Sequence, residues 1–197
     1  MVLKEKNILK MRQKGIEEKY HSIYGSHVFI GRQYVEFIMT DIYPPMVRML
    51  LPKLFLDMPP LMAKQKYPSE NRPTVIKTSP DLSINFAFQY FEESIRQEEL
   101  IDTTRGYYRL LQKCCPGYGY LECSEGYRDA KEEHILAWYI YSNPTLTDTL
   151  FNIHAFTVVE GRLLQCIFNA SEQPFYQWRP YVFEAFGSIT SGREVQN

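Results

Sequence analysis

The segment SINFAFQY, residues 83–90, alternates with a period of two: Ile84, Phe86, Phe88 and Tyr90 fall on one side, Asn85, Ala87 and Gln89 on the other. Successive strand residues point to opposite faces, so the pattern predicts a β-strand with one strongly apolar face. Just before it lie the β-branched run Thr74–Thr78 and the turn Ser79-Pro80-Asp81-Leu82, with proline at its second position. The two runs therefore make a hairpin. Farther upstream, KYPSENRP (66–73) sets Pro68 and Pro73 around Ser69, Glu70 and Asn71. Each proline biases the residue before it toward extended backbone, so this stretch is a corner feeding the hairpin rather than a loop with chemistry.

Downstream the period changes to 3.6. Ser94 and Gln97 have the spacing of a capping box, and Leu100, Ile101, Thr104, Tyr107, Tyr108, Leu111, Cys114 and Cys115 follow at helical spacing up to Pro116-Gly117. This predicts an amphipathic helix whose buried face holds the paired cysteines. Strand patterns return at 119–127, 135–142, 150–159 and 162–169, the last two joined by a Glu160-Gly161 turn. Both faces of these strands carry apolar residues, so a sheet covered on both sides is expected. A final helix is marked by Trp178, Tyr181, Val182, Ala185, Phe186 and Ile189, with Pro180 expected in its first turn.

Upstream of the hairpin, YVEFIM (34–39) and MVRMLL (46–51) are short apolar elements separated by Tyr43-Pro44-Pro45. The first twenty residues differ, with six lysines and arginines against three glutamates and a sparse Ile8, Leu9, Ile16 stripe. They predict a solvated surface helix or an unstructured arm. The domain reading is an N-terminal extension over 1–45, one domain over 46–190 and a polar tail over 191–197.

The chain has 197 residues, 45% of them hydrophobic and 23% charged, with a formal charge of −1. That composition fits a globular domain and gives no global pull toward nucleic acid or anionic membrane. Charges at Lys4, Glu5, Lys6 and Lys10 break any apolar leader, and no window has the run of about 18 apolar residues a helical span needs. A cytoplasmic location is expected. Cys114, Cys115, Cys123 and Cys166 lack metal-ligand spacing and read as small hydrophobes in a reducing compartment. No metal or cofactor is expected.

The order hairpin, helix, antiparallel strands, helix, together with MPPLMAKQKYPSENRPTVIKTSPDLSINFAF (58–88) and FNIHAFTVVEGRLLQCIFNASEQPFYQWRP (151–180), resembles the PsbP/Mog group. The group includes a photosystem-associated protein, a Ran-GTPase nucleotide-release factor and bacterial members of largely unassigned role, among which this chain would fall. The likeness covers about residues 46–190 and is carried by Arg72-Pro73 before the first hairpin strand and by Trp178-Arg179-Pro180 opening the last helix. It implies an α+β fold, an antiparallel sheet sandwiched between helices (α/β/α). It also implies protein binding, as an adaptor or a chaperone for secreted effectors. No partner-contact residue carries over from the group to a position in this chain.

Motifs for catalysis are missing: there is no GxSxG elbow, no HExxH and no phosphate-binding glycine loop. His154 lies mid-strand and reads as a structural histidine, and the pairs Glu92-Glu93, Glu98-Glu99 and Glu132-Glu133 read as solvated surface. Phe86 and Phe88 lack the basic neighbours that base stacking would want. Tyr118 and Tyr120 alternate on one strand and Tyr139 and Tyr141 on a possible neighbour. On a face that no helix fully covers, they would form an amphipathic platform for another protein; otherwise they pack beneath the N-terminal segment or the final helix. The function expected is a non-enzymatic protein-interaction module, with homo-oligomerisation open. The alternative is a small-molecule-binding or hydrolytic domain with a pocket between the sheet and the N-terminal segment.

Overall fold

A computed structural model describes residues 22–25, 27–124, 127–128, 135–146 and 148–191. The basic segment before residue 22 and most of the polar tail lie outside the described residues, as do His134 and the Glu132-Glu133 pair. In chain order the strands β1 (Val28–Ile30), β2 (Gln33–Val35), β3 (Phe37–Tyr43), β4 (Val47–Pro52) and β5 (Leu56–Asp57) lead into helix α1 (Pro60–Lys66). Then come β6 (Val75–Thr78), β7 (Asn85–Ser94), α2 (Leu100–Cys114), β8 (Gly119–Cys123) and β9 (Tyr127–Arg128). Three long strands close the sequence of elements, β10 (Ile135–Pro144), β11 (Thr149–Val159) and β12 (Arg162–Ser171), before α3 (Glu172–Gly187).

The main sheet runs β5-β6-β7-β12-β11-β10-β8, with β9 pairing onto β10, and every pair is antiparallel. β6 and β7 form the predicted hairpin, and Asn85 to Phe88 are all buried because both faces are covered. On one face lie α3 and the β3–β4 hairpin, whose core joins Phe86, Phe88, Phe168, Phe175 and Phe186. Each such ring contributes roughly 1.5–3 kcal/mol when fully buried. On the other face α2 packs over β10 and β11, and α1 with Tyr67 packs near Ile76, Ala87 and Ile167. The fold is thus the expected α/β/α sandwich.

Several local expectations change. β7 runs through Ser94, so the helix entrance is capped instead by Arg96 and Glu99, with the Arg96 N–H donating to Glu99 Oε2 at 2.9 Å. Of α2, Leu100 and Thr104 are buried, whereas Cys114 is exposed and Cys115, just past the helix, is half-buried. α3 begins at Glu172, six residues before Trp178, because Pro174 already occupies a first-turn position where no N–H partner is needed. Pro180 therefore lies inside the helix, and Trp178-Arg179-Pro180 is a mid-helix segment. The chain from residue 22 onward is built into the body. Ile23 N–H donates to Glu184 on α3 at 2.7 Å, and β4 is bridged to Thr190 by two backbone bonds at Arg48. Val28, Ile30, Phe37 and Ile42 share the α3-side core.

Candidate functional site

The four tyrosines do come together on one sheet face. β8 and β10 pair Tyr120 with Tyr141, and the Tyr118 and Tyr141 rings stack at 5.5 Å, 3° apart. What covers them is α2, not the N-terminal segment or the final helix. Tyr139 and Tyr141 are only 3% and 8% exposed, while Tyr118 and Tyr120 are half-buried at the rim. Tyr108 of α2 meets both Tyr139 (5.1 Å) and Tyr120 (5.7 Å), and the Tyr120 hydroxyl reaches the Leu111 carbonyl (2.9 Å) and the Cys115 carbonyl (2.7 Å). The Leu111 carbonyl also accepts from the Cys115 N–H (2.8 Å) and the Cys115 carbonyl from the Tyr118 N–H (3.1 Å), so the tyrosine hydroxyl adds a further donor at the end of α2 and seats the helix on β8. The expected open platform is the bed of a helix.

Beside this bed lies a polar seam. The His154 ring is enclosed by Tyr139, whose hydroxyl is 3.2 Å from Nδ1, by Gln165 Nε2 at 3.1 Å from Nδ1, and by Tyr141, whose hydroxyl is 3.2 Å from Nε2. With Gln165 donating to Nδ1, the ring proton sits on Nε2 and faces Tyr141. Burial disfavours the charged ring and pushes its pKa down to about 3, so the imidazole is neutral at pH 7. Burial also raises the Tyr139 and Tyr141 hydroxyls. The seam continues as Thr78 donating to Asn85 (2.7 Å), Asn85 to Asn169 (2.8 Å) and Asn169 to Tyr67 (2.7 Å). Each amide in it has a partner, as a buried polar chain requires. The Cys166 thiol is buried in the opposite core and raised by desolvation, away from this histidine.

A cleft of about 750 Å³ lies on the α3 side, between the β1–β2 hairpin, the end of β4, the 79–84 loop and the start of α3; the alternative reading put a pocket between the sheet and the N-terminal segment but named none of these residues as its lining. Its floor is aromatic: Phe55 and Trp178 lie 5.6 Å apart, and Phe55 meets Phe86 edge-on at 5.9 Å. Its lips carry Tyr34 and Leu54, 77% and 70% exposed. Phe29 packs edge-on against Tyr34 at 5.3 Å and is itself half exposed. On one lip, Asp81 organises the 79–84 loop by accepting from the Ser79 hydroxyl (2.5 Å) and from the Ser83 N–H (3.1 Å), and the Ser79 bond is the main reason its carboxyl titrates low.

The hairpin wall fits closely against α3 at its tip and is bonded at its far end. Gly31 turns at φ +64°, and a Cβ there would come within 2.8 Å of Gln177 Oε1 on α3. At the far end the Lys53 N–H donates to the Glu36 carbonyl (2.8 Å), and the two side chains pair at 2.8 Å. The available signal was the Gly31-Arg32 turn between Val28–Ile30 and Gln33–Val35, since glycine at the first central position suits a tight hairpin. Among the described residues no helix is long and apolar enough to cross a membrane, and no group of three or more His, Cys, Asp or Glu is placed to hold a metal.

No protein-family profile matches the sequence, and no curated protein matches it. Solved structures do. The solution structure of the cyanobacterial PsbP, CyanoP, from Synechocystis superposes with a TM-score of 0.56 at 8% identity, covering 79% of this chain and 92% of that one. LpqN of Mycobacterium tuberculosis, a protein involved in cell envelope biogenesis, gives 0.50 at 10% identity, covering 80% and 91%. A Bacteroides thetaiotaomicron structure gives 0.47 at 12% identity, covering 77% of this chain and 47% of that one. At these identities the likeness is one of fold, and the fold is PsbP-like.

Proposed function

We infer that the chain is a non-enzymatic protein-interaction module, an adaptor or chaperone for another protein, akin to the bacterial Mog-like members of its fold. The observation that carries this is the cleft: an open, aromatic-floored space with exposed Tyr34 and Leu54 on its lips and a wall close against α3 at its tip and bonded at its far end. Exposed apolar side chains around a preformed hollow are what a partner's anchor residue buries against. A second reading, a small-molecule or hydrolytic site, is favoured by the cleft's position between the N-terminal hairpin and the sheet, and by a volume in the range of ligand pockets. Against it, no His or Cys is among the described residues lining the cleft, and His154 lies on the opposite sheet face.

A photoreactive residue at Leu54, expressed in the native host, separates the two. Reproducible cross-linking to one protein supports the module, whereas a co-purifying metabolite with no protein adduct favours the pocket. Neither nucleic acid nor membrane is a proposed partner. A cytoplasmic location belongs to the proposal and suits the free thiols of Cys114 and Cys115. Labelling of Cys114 by an impermeant maleimide on intact cells would place the protein outside the cytoplasm and overturn this part of the proposal.

A further inference from the structure

β2 meets the cleft edge-on. Residues 30 through 36 line it without a gap. Neighbouring strand residues point to opposite faces, so an unbroken run along a wall means that the backbone edge borders the space. Ile30 and Gln33 flank the two-residue turn and exchange the hairpin's hydrogen bonds. The next pair, Phe29 and Tyr34, therefore turns its N–H and C=O groups away from the hairpin, and among the described residues no backbone group meets those of Tyr34. A fixed strand edge with free donors and acceptors is a template for strand addition. Charge adds a direction. Glu36 is paired with Lys53, and Asp81 stays anionic but has its oxygens turned to Ser79 and Ser83, whereas Arg32 at the hairpin tip is exposed and has no carboxylate partner among the described residues.

We propose that the cleft binds an extended peptide segment of a partner protein, which adds as a strand to β2 through the Tyr34 backbone, lays a large apolar side chain on Phe55 and Trp178, and brings an acidic residue to Arg32. This rests on the protein-binding function above and specifies what is bound. Side chains at alternate positions of such a peptide face the floor, so its sequence should read apolar and polar in turn.

The test pans the full chain against a library of short random peptides. Enriched sequences should alternate in this way and carry an acid, and a representative peptide should slow hydrogen exchange at the Tyr34 amide. N-methylation along the peptide should weaken binding at every second position only. Arg32→Glu should weaken it about tenfold, as the loss of one charged contact would. Tyr34→Pro removes the outward N–H at an exposed edge and should abolish binding, while Tyr34→Phe retains it. The exchange and N-methyl measurements use the unmodified chain, so they stand even where the proline variant misfolds. No enrichment, an unchanged Tyr34 amide, indifference to N-methylation, or occupancy by a fatty acid alone overturns strand addition. If Leu54 still cross-links a protein in that case, the module survives without the strand; if both fail, both are wrong.

Discussion

Seen from α3, the sheet is a field of rings: Phe86 meets Phe168 at 5.1 Å and Phe186 at 6.0 Å, and Phe168 meets Phe175 at 6.1 Å. Seen from α2, the same strands carry Asn85, Asn169, Gln165 and His154 between two apolar patches, one under α2 and one under α1. The first face is stabilised by area removed from water, which is non-directional and tolerant of repacking. The second depends on donors and acceptors meeting, which is directional and sensitive to charge. The two faces should therefore fail under different insults.

The largest effect should come on the aromatic face. Phe86 is fully buried, and Phe86→Ala should cost about 3–5 kcal/mol, read by urea denaturation. A cost below about 1 kcal/mol would mean that this face is not the principal core. Next is acidity, which should strike the polar face. The folded-state pKa of His154 is depressed, so the unfolded chain binds more protons below pH 6.5, and stability is lost as pH falls from there toward 3. Between pH 7 and 5 the loss should be about 2 kcal/mol. His154→Gln should flatten the slope in that window; an unchanged slope would place the titration elsewhere.

Tyr67→Phe removes the oxygen that accepts from Asn169 and leaves a buried amide donor unsatisfied, for about 1–2 kcal/mol. Its cost should be unchanged in Phe86→Ala if the faces are independent, so a double-mutant cycle sharpens the comparison. The smallest effect is at the sheet margin. Arg179 on α3 grips Glu122 of edge strand β8 with its two terminal guanidinium nitrogens, Nη1 and Nη2, at 2.9 and 2.5 Å, in a partly exposed setting. Arg179→Ala should cost no more than about 1 kcal/mol, and less at high salt. A salt-independent loss would point to packing rather than charge.

The cleft opens on the α3 face, and its lining was the least legible part of the molecule. Its floor and walls come from Tyr34, Leu54, Asp81 and Trp178, positions separated by most of the chain. The tyrosines show a subtler gap. Alternation placed Tyr139 and Tyr141 together on one face, and the register agrees, but no local pattern says that α2 returns over β10 and buries them. Likewise Pro180 read as a helix start because a proline there is unremarkable, whereas the helix had already been opened by Pro174.

Periodicity in the sequence alone determined that the run through Asn85 to Tyr90 is a strand, that β6 and β7 form a hairpin, that β11 turns into β12 at Glu160-Gly161, and that a two-sided sheet results. Those features depend on neighbours a few residues apart, whose spacing in the chain is their spacing in space. Only the tertiary structure decided which residues are covered, which edge of β2 is left open, and where a hollow remains. Such properties depend on the packing of distant segments, which local spacing does not encode.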